Sequence, residues 1–159
     1  MTTVCWTTMT SPVGELLLAA DDEGLTSVSF TPHPPVAGER DDDHPVLRAA
    51  VQQLGEYFSR DRKSFELPLA PTGSAFRQQV WSALRDIPYG STTTYGAIAG
   101  GLGLTGHGAR AVGLANGANP LAIVVPCHRV VGSKGALTGY AGGVDRKRQL
   151  LALEGAALF

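Results

Sequence analysis

The hydrophobic spacing of this chain changes character twice, and each change falls at an irregular stretch that contains prolines. Residues 4–9, 15–20 and 25–30 are short apolar or alternating runs. The turn residues Ser11-Pro12-Val13-Gly14 and the cluster at 21–24 separate them, which is the pattern of strands joined by tight turns. Residues 31–44 carry Pro32, Pro34 and Pro35 among acids and glycine and read as a loop. From Pro45 onward, Val46, Leu47, Ala50, Val51, Leu54, Tyr57 and Phe58 recur at helical spacing. Asp43 or His44 precedes that helix as its cap, and proline suits a first helical turn. Residues 61–72 are irregular again, with Pro68 and Pro71. The pattern predicts an α/β subdomain over residues 1–70, with a small antiparallel sheet and one helix, followed by a second subdomain over 74–159.

The second subdomain reads as mostly helical. A helix over 74–86, capped by Thr72 or Ser74, has the buried stripe Phe76, Val80, Leu84 and Ile87, which Trp81 can join. After the turn Pro88-Tyr89-Gly90, a short helix is expected over 94–101, capped by Thr93 or Thr94. Residues 102–108 are glycine-rich, and 109–117 form a second short helix of small residues. Helix, tight turn and helix with small residues at the contact is the outline of a helix-turn-helix. Asn119-Pro120 punctuates the chain, and the apolar run 121–125 leads into Pro126-Cys127-His128-Arg129-Val130. Residues 130–137 resemble a strand with a Gly-Ser-Lys-Gly turn, giving the helical part wing-like strands. Asp145 is placed to cap a last helix over 146–153.

Charge is unevenly divided. Residues 1–70 hold 11 acids and 5 bases, a net of −6, whereas residues 71–159 hold 3 acids and 8 bases, a net of +5. The basic half can face phosphates while the acidic half stays away from them. Hydrophobic residues make up 43% of the 159 residues, enough for one core or two small ones. No apolar run approaches the roughly 20 residues of a membrane helix, so no membrane partner is expected. The start shows no basic region followed by an apolar one, which points to the cytoplasm, where Cys5 and Cys127 stay reduced. There is no Cys-x-x-Cys, and His33, His44 and His107 show no ligand spacing, so they read as exposed loop residues. No metal site is expected.

Cys127 stands between a proline and a histidine after an apolar run. A thiolate is the reactive form of cysteine, and neighbouring histidine or basic groups favour it. Taken alone, such a cysteine is equally compatible with a small core residue. The wider context is more specific. Asn119-Pro120, Val125-Pro126-Cys127-His128-Arg129-Val130-Val131, Tyr140-Ala141-Gly142-Gly143 and Leu150-Leu151-Ala152-Leu153-Glu154 occur in that order. Thr94-Tyr95-Gly96 and Ala109-Arg110-Ala111-Val112-Gly113 stand upstream. Together they resemble the methylated-DNA–protein-cysteine methyltransferases, also called O6-alkylguanine-DNA alkyltransferases. The resemblance is dense over residues 74–155 and looser over 1–70.

The resemblance implies direct-reversal DNA repair: one irreversible transfer of an alkyl group from O6 of guanine in duplex DNA to Cys127, without a cofactor. It implies that His128 relays the cysteine proton through a water, that Glu154 holds His128, and that Asn119 braces the turn. It further implies that Arg110 occupies the place of the extruded base, with Ala109, Ala111 and Gly113 letting the helix approach the minor groove closely. The degenerate readout of that groove suits inspection of any sequence. Tyr95, Val130, Tyr140, Ala141 and Lys147 would border the base pocket, and the carbonyls of Cys127 and Val130 would accept from the guanine amino group. Ala141 stands where many members carry serine, and residues 100–108 run a residue longer than in close relatives. The protein is expected to act as a monomer. Two other readings remain at this point. One is an alkyltransferase-like lesion-binding protein, which would lack the cysteine. The other is a Cys-His hydrolase, which would need an oxyanion site that the sequence does not reveal.

Overall fold

The computed structural model describes residues 3–33, 36–137, 140 and 142–156. The chain divides into two compact units. One runs to Thr72 and takes back Pro120–Val124, and the other holds Gly73–Asn119 and the chain from Val125 onward.

In the first unit, strands β1 (Cys5–Met9), β2 (Leu16–Ala20), β3 (Leu25–Phe30) and β4 (Glu39–Arg40) form a sheet in the order β3-β2-β1-β4. The first three pair antiparallel, with Met9 opposite Leu16 and Leu16 opposite Phe30. Every residue of β2 is buried, so its run Leu-Leu-Leu-Ala-Ala is continuous rather than alternating. Helix α1 (Pro45–Phe58) buries Leu47, Ala50, Leu54 and Tyr57. The ring of His44 caps it, with Nδ1 accepting from the Val46 N–H at 3.3 Å.

Three details differ from the sequence reading. The sheet is mixed, because β4 lies inside the stretch expected to be loop and pairs parallel with β1. Two residues are too short to leave a periodic trace. Gly38 makes the approach possible: its φ is +94°, and a Cβ there would lie 1.9 Å from the Val4 carbonyl oxygen. His33 is also not simply an exposed loop residue, since its Nε2 lies 3.2 Å from Glu15 Oε1, whereas His44 takes the cap position that the sequence offered to it or Asp43.

The apolar run after Asn119 has a structural use in this unit. Leu121 bridges Val28 in parallel, the Val28 N–H donates to Pro120 O at 2.9 Å, and the Ala122 N–H donates to Val28 O at 3.2 Å. Ile123 follows with φ +71°, a left-handed conformation that a β-branched residue adopts at a cost of about 1–3 kcal/mol. The chain thus reaches Pro126-Cys127 through a buried and locally strained turn.

In the second unit, α2 (Ala75–Arg85) is capped by Ser74 and buries Val80, Trp81 and Leu84. Strand β5 (Thr93–Thr94) runs into α3 (Tyr95–Gly101), where Thr94 Oγ1 accepts from the Ala97 N–H at 3.0 Å. Helix α4 (Gly108–Gly117) follows after a connection over 102–107 with turns at Gly103 and Gly106, completing a helix-turn-helix. Gly108 sets the contact between α3 and α4, since a Cβ there would stand 2.6 Å from Leu104 Cβ and 3.3 Å from Ala99 Cβ. Trp81 Nε1 ties α2 to α4 through the Ala115 carbonyl at 2.9 Å. Strand β6 is only Val130–Val131 and pairs parallel with β5. A 3-10 turn at Ser133–Gly135 replaces the longer strand expected over 130–137. The last helix, α5 (Val144–Leu153), has Gly143 at its N-cap and no side-chain cap. Asp145 therefore sits within the first turn, where a carboxylate still complements the helix dipole.

Candidate active site

The site is assembled from the end of α4, the turn that follows Val125, and the end of α5. Cys127–Arg129 is a single 3-10 turn, closed by the Arg129 N–H donating to Pro126 O at 3.0 Å. Two asparagines hold its carbonyls. Asn119 Nδ2 donates to Val125 O at 2.9 Å, and Asn116 Nδ2 donates to Cys127 O at 3.4 Å. The Val130 N–H also donates to Cys127 O, so this carbonyl already has two donors and is a poorer acceptor for a ligand than expected.

Cys127 is buried. Burial pushes its thiol above the ordinary 9.0, because a buried thiolate loses its solvation. The polar Asn119 and Tyr140 side chains near the sulfur and the charge of Lys147 pull in the opposite direction, without reversing the shift. A thiol in this position needs a base.

His128 follows it in the same turn and has no exposed surface. Its Nε2 lies 2.6 Å from Glu154 Oε2. An ionised carboxylate only accepts, so Nε2 carries the proton and Nδ1 presents its lone pair. Nδ1 is buried and has no hydrogen-bond partner among the described residues. Burial holds the ring's pKa below the ordinary 6.5, although Glu154 pulls upward, and the charges of Arg129 and Lys147 lower it further. The ring is therefore neutral at pH 7 and able to take a proton.

Glu154 stands at the C-cap of α5, the end of a helix where a carboxylate is least welcome. Arg129 compensates. Its Nε lies 2.8 Å from Oε1 and its Nη2 3.1 Å from Oε2, a bidentate pair, while Nη1 donates to Ile87 O at 2.7 Å. The Gly90 N–H adds a weaker bond to Oε1 at 3.4 Å, and Arg129 lies over the Tyr89 ring at 5.7 Å. The carboxylate is thus held in one orientation toward His128.

Lys147 from α5 is fully buried, with its Nζ 6.0 Å from the centroid of the Tyr95 ring. Burial depresses its pKa from 10.5, and the sulfur of Cys127 opposes that shift. Gly113 of α4 faces the Tyr95 ring, where a Cβ would sit 3.8 Å from the nearest ring carbon. Val130 is completely buried. On the outer side of α4, Ala109 and Arg110 are exposed and Ala111 is half-buried. Ala141 lies outside the described residues.

The sequence does not single out Asn116, nor the contacts that Arg129 and the Tyr89-Gly90 turn make with Glu154. Asn116 and Asn119 stand three apart, a spacing that places both on one side of a helix end and could have flagged the pair. Nothing local marks Arg129 and Glu154 as partners 25 positions apart. Among the described residues, no group of three or more His, Cys, Asp or Glu side chains could hold a metal, and no helix is long and apolar enough to cross a membrane.

These shifts give stability a defined pH dependence. His128 binds a proton less readily folded than unfolded, so its contribution is present above 6.5 and is lost as pH falls through the lower folded value. Cys127 keeps its proton longer when folded, so its contribution is complete below 9.0 and is lost as pH rises through the higher folded value. Lys147 acts against Cys127 in the alkaline range, because its folded value is the lowered one. The urea midpoint should therefore fall between pH 7 and pH 5, before carboxylates titrate. Above pH 9, wild type should lose stability relative to Cys127→Ser, which has no thiol to titrate. An acid-side midpoint that stays flat to pH 5 would contradict the assignment for His128.

Known proteins resemble the chain along nearly its whole length. Residues 4–71 match the family described as 6-O-methylguanine DNA methyltransferase, ribonuclease-like domain, and residues 75–156 match 6-O-methylguanine DNA methyltransferase, DNA binding domain. A methylated-DNA–protein-cysteine methyltransferase of Methanosarcina acetivorans is 50% identical over 153 residues, covering 91% of this chain and 94% of that protein. One from Mycolicibacterium paratuberculosis is 51% identical over 150 residues, covering 92% and 90%. Among solved structures, the Mycobacterium tuberculosis OGT in complex with DNA is 46% identical, with a TM-score of 0.88, covering 95% of this chain and 92% of that one.

Proposed function

The chain belongs to the 6-O-methylguanine DNA methyltransferase family and is a methylated-DNA–protein-cysteine methyltransferase that repairs DNA, and we propose that the sulfur of Cys127 is its acceptor, used once per molecule. The observation that carries this reading is the 2.6 Å contact between Glu154 and His128, in the same turn as Cys127. It leaves Nδ1, which has no partner among the described residues, as the basic nitrogen.

His128, held by Glu154, takes the proton of Cys127 through a water. The thiolate attacks the alkyl carbon. A carbon–sulfur bond forms, the bond between that carbon and O6 breaks, and its electron pair stays on guanine, which is reprotonated as an ordinary base. The thioether cannot be attacked again by water at a useful rate, so the reaction is stoichiometric. No cofactor is required, because the alkyl group comes from the damaged base.

The target atom lies within the base stack, so the nucleotide must be extruded. Arg110, exposed on α4, enters from the minor groove and fills the vacated place, and the small residues Ala109, Ala111 and Gly113 allow close approach. Tyr95, Tyr140, Lys147 and the backbone of Val130 border the base, with Asn119 bracing the turn under Cys127. Ala141 has the same assignment by sequence. One copy of the chain supplies all these groups, which favours a monomer. Both cysteines are unpaired, and a reducing compartment such as the cytoplasm would keep them so.

The test uses duplex DNA carrying a labelled methyl group on O6 of one guanine. We expect at most one label per protein molecule, recovered on the peptide that contains Cys127. Repeated turnover, or label on another residue, would refute the assignment.

A further inference from the structure

Helix α4 carries a feature that the transfer chemistry does not use. Leu114 is 71% exposed, and the only other large hydrophobic residue exposed among the described residues is Val144, at 36%. Gly108, Val112, Ala115 and Asn116 face inward, whereas Ala109, Arg110, Leu114 and Gly117 face out. Leu114 stands four residues after Arg110, one turn along the same face. Helical leucine side chains lean toward the N-terminus, so that of Leu114 leans toward Arg110. Everything else on that face is glycine or alanine, and α4 contains no acid. A single bulky apolar group therefore projects beside a guanidinium from an otherwise smooth, uncharged strip.

We propose that Leu114 is an apolar wedge that packs into the minor groove beside the point where Arg110 enters, against the base pair next to the extruded nucleotide. This rests on the reading that α4 is the DNA-facing helix. Its occupant is duplex DNA, because α4 lies inside the segment matching the family's DNA-binding domain and the face is continuous with Arg110. The division of labour follows from the chemistry. Arginine supplies charge and occupies the vacancy, where its planar guanidinium can cover one exposed base face, and the edge of the adjoining pair is left for a neighbouring side chain to cover. A branched aliphatic side chain supplies that cover, and proteins that bend or unstack DNA from the minor groove use leucine in this way. On binding, Leu114 loses its contact with water, which favours the complex without neutralising a phosphate.

The experiment compares wild type, Leu114→Ala and Leu114→Met on a duplex with one O6-methylguanine, from about 50 to about 200 mM salt. Transfer from the free base O6-benzylguanine is measured in parallel. Leu114→Ala should bind the duplex about tenfold more weakly, with an unchanged slope of log affinity against log salt, because no charge is removed. Its reaction with the free base should match wild type, which shows that fold and sulfur are intact. Leu114→Met, which keeps the bulk and apolarity, should bind nearly as wild type. Binding by Leu114→Ala within about twofold of a wild type that repairs the duplex would overturn the wedge alone, as would a changed salt slope. A wild type that does not react with the duplex would overturn both the wedge and the reading beneath it.

Discussion

Replacing Cys127 with serine should abolish alkyl transfer, by at least about a thousandfold, while leaving affinity for the alkylated duplex close to wild type. Both parts follow from the surroundings of the sulfur. Burial already makes the thiol hard to ionise, and an alcohol is far harder to ionise and a weaker nucleophile toward an alkyl carbon. A neutral imidazole that can deprotonate a thiol cannot make a useful population of alkoxide. Folding should be little disturbed. The hydroxyl is slightly smaller than the thiol and, like it, can both donate and accept a hydrogen bond, so the Asn119 and Tyr140 side chains around it need not rearrange. Arg110 and the rest of the exposed face of α4 are untouched. Single-turnover transfer and equilibrium DNA binding, measured on the same preparation, separate the two effects. Residual transfer within tenfold of wild type would mean that another atom accepts the alkyl group.

The parts of this protein visible in its sequence are those fixed by short-range pattern. Leu47, Ala50, Leu54 and Tyr57 mark α1 because one face of a helix repeats every three or four residues, and they are the residues buried. Ser74 and Thr94 announce their helices because a cap is a local hydrogen bond. The mixed character of the first sheet was hidden, since β4 is two residues long and is placed by its partner strand and by Gly38 rather than by its own composition. The site shows the same division. Pro126 to Val130 by itself leaves Cys127 open as a core residue, and it is the resemblance over the wider context that marks Cys127, His128 and Glu154. Arg129 was in plain view inside that motif, yet its work was not legible. Its guanidinium joins Glu154 to the Ile87 carbonyl, groups 25 and 42 positions away. No periodicity records such a contact, and only the folded chain brings its parts together.

That contact makes Glu154 the position where a single change should cost most stability. Glu154→Ala should destabilise the protein by about 3–5 kcal/mol, the range for removing one partner of a buried ion pair. The Arg129 side chain is 7% exposed and that of Glu154 not at all, so solvent cannot replace the lost carboxylate. The deletion leaves the guanidinium Nε and Nη2 without their acceptor and strips His128 Nε2 of the carboxylate it donates to. Glu154→Gln keeps the volume and one acceptor oxygen but loses the charge, and it should fall between alanine and wild type. Transfer to O6-benzylguanine should drop in both variants even where they are fully folded. Without an anion at Nε2 the imidazole is a weaker base, and nothing fixes its proton on the side away from Nδ1. Arg129→Lys should not reproduce wild type, because an ammonium cannot make the bidentate contact and reach Ile87 O together. Urea denaturation at pH 7 gives the stability difference, and the single-turnover rate in the folded range gives the chemical one. A Glu154→Ala protein destabilised by less than about 1 kcal/mol would show that the carboxylate and guanidinium are solvated in the native state. A rate loss without that destabilisation would assign Glu154 to the imidazole alone.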